Sequence, residues 1–262
     1  MILYGRNPVR EALCGRRARG VVQVWATANA AHEPWLAGAS TKVCSADELE
    51  RLCGSSAHQG VCAEVGGYPY VAAHELLAVD SPLIVALDQV QDPRNLGSIC
   101  RTAECAGATG VVIPERRAAE VTPAACKASA GAVEHIRIAR VRNIADFLGD
   151  ARDAGCWSYG ASAPVLASED SGGRRGGKAA VGASSGVSSA TVLYTEPDYS
   201  GGVVLVLGSE GSGLRPRVAG VCDQLVSLPL RGRMESLGVA AAAAALVYGI
   251  LHDREVRLDK AP

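Results

Sequence analysis

Beyond residue 80 the chain alternates uninterrupted apolar runs with helical segments, and no other feature limits its fold so tightly. PLIVALDQV (residues 82–90), GVVIP (110–114) and VVLVLG (203–208) lack the apolar–polar alternation of a half-exposed strand. Runs of that kind belong to parallel strands buried on both faces. Between them stand helical stretches, DPRNLGSICRTAECAG (92–107), TPAACKASAGAVE (122–134), NIADFLGDARDAG (143–155) and LRPRVAGVC (214–222), together with the strands HIRIARV (135–141) and CWSYGA (156–161). Strands alternating with helices predict an α/β fold with a mostly parallel sheet. The closing stretch LVSLPLRGRMESLGVAAAAAALVYGIL (225–251) repeats the theme, with Ser236 expected to cap an Ala-rich helix. In such a sheet ligands bind beyond the carboxyl ends of the strands, so the loops there are the first candidates for a site.

Residues 1–70 read as a separate small α/β unit: a helix Asn7–Leu13, a strand Val21–Trp25, a helix Ala46–Cys53 and a strand Val61–Val65. GGYPY (66–70) breaks that pattern, and a linker with a short helical piece (Ala72–Val79) is expected over 71–82, leaving 83–262 as the second unit. Within it, 168–191 is a Gly- and Ser-rich stretch without apolar periodicity, expected to be a flexible insertion. A formal net charge of −1 argues against indiscriminate binding of polyanions. The first twenty residues nevertheless carry Arg6, Arg10, Arg16, Arg17 and Arg19 against Glu11 alone, so Arg6, Arg10, Arg16 and Arg17 are candidate nucleic-acid contacts. On charge alone a solvated helix face explains them equally well. Nine cysteines without a C-x-x-C pair and five scattered histidines offer no metal or disulfide framework. No run is long enough to span a membrane and no secretion signal is present, which predicts a cytoplasmic protein.

Three loops that follow apolar runs are rich in Gly, Asn, Arg, Ser and Glu: Asp88–Gly107, Leu207–Pro216 and Leu228–Gly238. Gly208, Gly211 and Gly213 suit close approach of backbone to a ligand. Their spacing is not the dinucleotide fingerprint, and the Walker lysine is absent.

DPRNLGSICRTAECAG, LVLGSEGSGL and LPLRGRMESLGVAAAAAAL, in that order, resemble the signature motifs of the SpoU (TrmH-like) branch of the SPOUT RNA methyltransferases. The first unit resembles the ribosomal-protein-like RNA-binding domain of members that methylate a guanosine of large-subunit ribosomal RNA. The resemblance implies a trefoil-knotted α/β domain, a homodimer, and methyl transfer from S-adenosylmethionine to a ribose 2′-hydroxyl of ribosomal RNA; no metal is expected, on the cysteine and histidine pattern above. By position it implies catalytic roles for Asn95, Arg101, Glu210 and Ser236, and donor contacts at Leu207, Gly208, Gly211, Leu228, Leu230, Ser236 and Leu237. Arg101 is expected to stabilise developing negative charge rather than to act as a base, since a guanidinium stays protonated. Where the family usually has an asparagine after Ser-Leu, this chain has Gly238. That departure keeps a weakly active or purely RNA-binding protein as an alternative, beside a transfer-RNA methyltransferase.

Overall fold

The computed structural model describes residues 1–162 and 191–259. The expected insertion at 168–191 lies, except for Thr191, outside the described residues.

The amino-terminal unit comprises β1 (Ile2–Tyr4), α1 (Arg6–Cys14), β2 (Val21–Ala26), β3 (Thr41–Val43), α2 (Ala46–Cys53) and β4 (Val61–Val65). Its sheet runs β1-β4-β2-β3, with β4 antiparallel to both neighbours and β2 parallel to β3. The boundaries of α2 coincide with the sequence reading because both ends are written locally. Ser45 and Glu48 form a reciprocal capping box, and Gly54 closes the helix in the left-handed conformation. β1 and β3, three residues each, carry too little periodicity to be read in advance.

Beyond it come α3 (Ala73–Leu77), β5 (Leu83–Asp88), α4 (Pro93–Cys105), β6 (Gly110–Pro114), α5 (Pro123–Ala128), β7 (Ile138–Val141), α6 (Ile144–Asp153), β8 (Cys156–Ser162), β9 (Val192–Leu193), β10 (Gly202–Gly208), α7 (Pro216–Ala219), β11 (Gln224–Ser227) and α8 (Val239–Leu258). The strands form one sheet in the order β7-β6-β5-β10-β8-β11-β9, parallel at every pairing. All side chains of β5 and β6 are buried, as their unbroken apolar sequences require. One face of the sheet packs against α4, α5 and α8, and the other against α3 and α6. Because all strands run the same way, the loops after β5, β6, β7, β8, β10 and β11 emerge at a single edge.

One expectation about the last helix needs correction. Ser236 does not cap the last helix: the N-cap is Gly238, with φ 77° and ψ 147°, and the Gly238 N–H donates to Ser236 Oγ at 3.1 Å. This backbone conformation is open essentially to glycine alone, so an asparagine there would be strained. The short helical piece expected within 71–82 is α3, and the stretch packs on the second unit. Val71 pairs with Ala139 beside β7, and Leu76 of α3 is completely buried against the sheet.

The two units share one continuous apolar cluster in which Leu3, Val9 and Ala12 join Leu96, Cys126 and Val133. At its centre Arg17, 3% exposed, pairs with the fully buried Glu134, its Nε donating to Oε2 at 2.9 Å and its Nη2 to Oε1. The guanidinium also lies 5.4 Å from the Tyr68 ring centroid. Burial alone would lower the basicity of Arg17, but its hydrogen bonds and charge pairing with Glu134 more than offset this and hold it above its ordinary value. Tyr68 Oη sits 2.7 Å from the Val133 carbonyl, and Glu11 Oε2 lies 2.8 Å from His135 Nε2. Arg17 is therefore withdrawn from the RNA contacts expected of it. Its charge is spent inside the protein.

Candidate active site

A cleft of about 380 Å³ opens where β8, β10 and β11 end, large enough for a small-molecule ligand. All seven positions expected to hold the donor line it: Leu207, Gly208, Gly211, Leu228, Leu230, Ser236 and Leu237. Val239 and Leu246 of α8 add apolar wall. The lining thus combines hydrocarbon residues with the glycines, serines and glutamates of the loops after β10 and β11. A nucleoside joined to an aliphatic amino acid fits such a lining, its base and amino-acid ends meeting backbone groups and its remaining surface meeting leucines.

Gly208 shapes this wall. The chain leaves β10, turns through Gly211 (φ 86°) and Gly213 (φ 65°), and folds back so that Ser209 and Gly213 exchange hydrogen bonds of 3.1 and 3.0 Å. A Cβ on Gly208 would lie 2.1 Å from the Gly213 carbonyl carbon, so only glycine admits the return. The turn is anchored from below by Asp88, fully buried at the end of β5. Its carboxylate accepts from Arg215 N at 3.0 Å and from Arg215 Nε at 2.8 Å. Sequence reading missed this clamp because the partners stand 127 residues apart.

A second, polar cleft of about 390 Å³ adjoins the first through Ser209 and Glu210, and is completed by Gln89, Val90, Gln91, Asp92, Asn95 and Ser212. Here Asn95 Nδ2 donates to Glu210 Oε1, tying the first turn of α4 to the loop after β10. Asn95 is not the cap of α4. That position belongs to Asp92, whose side chain accepts from Arg94 N at 2.8 Å and leaves the Asn95 amide available for Glu210. The hydrogen bond from Arg94 holds the Asp92 carboxyl below the usual range. Gln89, at φ 64°, takes a strained left-handed conformation at the floor of this cleft.

Arg101 is not brought to either cleft within one chain. It stands six residues along α4 from Asn95, about 9 Å of rise and two-thirds of a turn out of phase, is exposed, and among the described residues makes no side-chain hydrogen bond or ion pair. Of the expected catalytic residues the fold unites Asn95, Glu210 and Ser236 around the two joined clefts and leaves Arg101 outside. Of the expected RNA contacts, Arg6 pairs with Glu33 at 3.0 Å, Arg10 pairs with Glu11 at 2.7 Å, Arg16 is exposed and Arg17 is buried. Glu11, Cys14 and His135 place potential metal-ligand atoms within 4.8 Å of one another at the joint between the units. No helix among the described residues is long and apolar enough to cross a membrane.

Comparison with known proteins agrees with this geometry. Residues 82–248 match the SpoU rRNA Methylase family, and residues 2–71 match the RNA 2′-O ribose methyltransferase substrate-binding family. YacO of Bacillus subtilis (strain 168), assigned to the TrmH family of tRNA/rRNA methyltransferases, is 37% identical over 202 residues, 75% of this chain and 71% of that one. The 23S rRNA (guanosine-2′-O-)-methyltransferase RlmB of Acinetobacter baylyi (strain ATCC 33305 / BD413 / ADP1) is 34% identical over 221 residues, 83% of this chain and 80% of that one. For several other relatives the match spans 60% of their length. An AdoMet-bound rRNA methyltransferase from Sinorhizobium meliloti shares the fold, with a TM-score of 0.72 and 24% identity over 96% of this chain and 86% of that one. With a mainly parallel sheet, two joined clefts at its carboxyl edge and family matches over both units, the chain belongs to the SpoU rRNA Methylase family.

Proposed function

We propose that this protein transfers a methyl group from S-adenosylmethionine to the 2′-hydroxyl of a guanosine ribose in large-subunit ribosomal RNA, acting in the cytoplasm as a homodimer. The observation that carries the proposal is the junction of the two clefts: an apolar, glycine-bearing cavity meets a polar one at Ser209 and Glu210. When bound, the donor supplies an electrophilic sulfonium methyl. The protein's task is to hold the ribose oxygen in line with it, to let the hydroxyl proton pass to solvent through the open polar cleft, and to balance the negative charge that develops on that oxygen. The bonded pair Asn95 and Glu210 would orient the ribose, and Ser236 would define the rim of the donor cavity. We assign the first unit, 1–70, to holding RNA and the second, 83–262, to chemistry, with a trefoil knot at the loops after β10 and β11. The 34% identity to RlmB supports the ribosomal substrate.

Dimerisation is supported by what one chain leaves unfinished. Ala241, Ala245 and Tyr248 form an exposed stripe along α8, which packs beside α4, and Met234 and Leu237 lie open at the cleft mouth. A second copy packed on this face would cover the stripe and carry its Arg101 toward the neighbouring cleft, where a fixed cation stabilises the forming alkoxide. Radiolabelled methyl transfer to unmodified ribosomal RNA tests the reaction. Label in a guanosine 2′-O position, with donor binding seen by calorimetry, is expected; RNA binding without transfer rejects it, and transfer to tRNA alone moves the substrate assignment. Mixing inactive Arg101→Ala chains with chains inactivated at Glu210 should restore about a quarter of wild-type activity through heterodimers. No restoration would place Arg101 outside a shared site.

A further inference from the structure

We infer that Arg116, Arg117 and Arg142 form a rim that binds the phosphates of single-stranded RNA flanking the target ribose. This rests on the proposed reaction and names how its substrate is carried past the site. The three residues follow β6 and β7, at the same edge of the sheet as the clefts, and all are exposed. Two backbone hydrogen bonds place the loop that holds Arg116 and Arg117. Its Glu115 N–H donates to the Val141 carbonyl at 2.8 Å, beside Arg142. On the other side the Ala119 N–H donates to the Val90 carbonyl at 2.8 Å, in the loop that floors the polar cleft.

The charges here are not consumed locally. Glu120 pairs with Arg140 at 3.1 Å, and Asp146 pairs with Arg217 at 3.3 Å and bonds Asn143. Glu115 is the remaining nearby carboxylate, and among the described residues Arg116, Arg117 and Arg142 have no carboxylate partner. Arg94, on the same edge, is instead neutralised by Asp92 at 2.9 Å. Arg117 also sits at φ 58°, a left-handed conformation that a long side chain seldom adopts. Strain of this kind concentrates where a side chain must be aimed. From the end of β5 to that of β7 is about 10 Å, two strand spacings, close to the rise of about three stacked nucleotides. Arginines in such a row suit consecutive phosphates, to which they donate in pairs. The favoured occupant is therefore a single strand leading away from the polar cleft.

The test is the salt dependence of binding by a labelled single-stranded RNA of about 20 nucleotides, between about 50 and 300 mM KCl. In the triple variant R116A/R117A/R142A the slope of log affinity against log salt should become shallower by about 2, and in each single variant by about 0.7. The charge-preserving triple lysine variant should keep the wild-type slope, and calorimetric affinity for S-adenosylmethionine should be unchanged throughout. With ribosomal RNA as substrate, the alanine triple should raise KM at least tenfold and change kcat less than threefold. An unchanged slope in folded alanine variants, single or triple, overturns the rim. Absence of methyl transfer by the wild type, with the slope difference intact, would instead remove the proposed reaction and leave the rim standing.

Discussion

At the scale of single residues, the site turns on which polar groups are already spoken for. Asp92 takes the cap of α4, and this leaves Asn95 free to meet Glu210 across the polar cleft. Losing a hydrogen bond to a charged partner costs about 1.5–3 kcal/mol. Asn95→Ala should therefore lower kcat/KM roughly tenfold to a hundredfold while calorimetry finds the donor affinity within about twofold of wild type. A parallel collapse of donor binding would show that Asn95 only holds the loop together. Gly238 belongs to this scale too. Its positive φ and extended ψ explain the missing asparagine in backbone terms, without implying a damaged site. Gly238→Asn should consequently weaken donor binding, measured by calorimetry; stronger binding or faster turnover would show that the side chain was wanted.

At the scale of elements, strands and their loops were far more legible in the sequence than ends and partners. The unbroken apolar runs LIVALD and GVVIP announced buried parallel strands, and the helix read over Ala46–Cys53 matches α2 to the residue, its start fixed by the Ser45–Glu48 capping box that the structure shows. β1, β3 and β9, three residues or fewer, could not declare themselves, because so short a segment holds no period. The start of α8 was misplaced because Ser236 has the right side chain for a cap, whereas the actual cap works through backbone conformation. The seven positions that motif resemblance assigned to the donor line one cavity, but Arg101 illustrates the limit of position: one helix carries both Asn95 and Arg101 on different faces. The loop after β10 is the element most sensitive to change. In Gly208→Ala the added methyl would press on the main chain of Gly213 and Leu214, which cannot swing aside. Loss of about 1–3 kcal/mol in stability and at least tenfold in donor affinity is expected, read by thermal unfolding and calorimetry. Wild-type values for both would mean that the turn is softer than its hydrogen bonds imply.

For the whole molecule, the joint between the units decides how it behaves. Arg17 looked like one more surface cation in a basic stretch, because its partner Glu134 is 117 residues away and no local pattern announces it. Arg17→Ala would strand a buried carboxylate, at a cost of about 3–5 kcal/mol. For a chain of this size that corresponds to a melting temperature lower by roughly 10 °C. Replacing both partners with Met and Leu should recover most of the loss, since no charge is then left unpaired; a drop below about 1 kcal/mol for the single variant would mean the joint opens freely. The joint is packed and ion-paired, and it sets the separation between residues 1–70 and the clefts in this structure. If the first unit grips RNA as proposed, the nucleotide offered to the reacting edge would be the one lying at that reach, and the target would be chosen as a caliper chooses, by measuring along a folded strand.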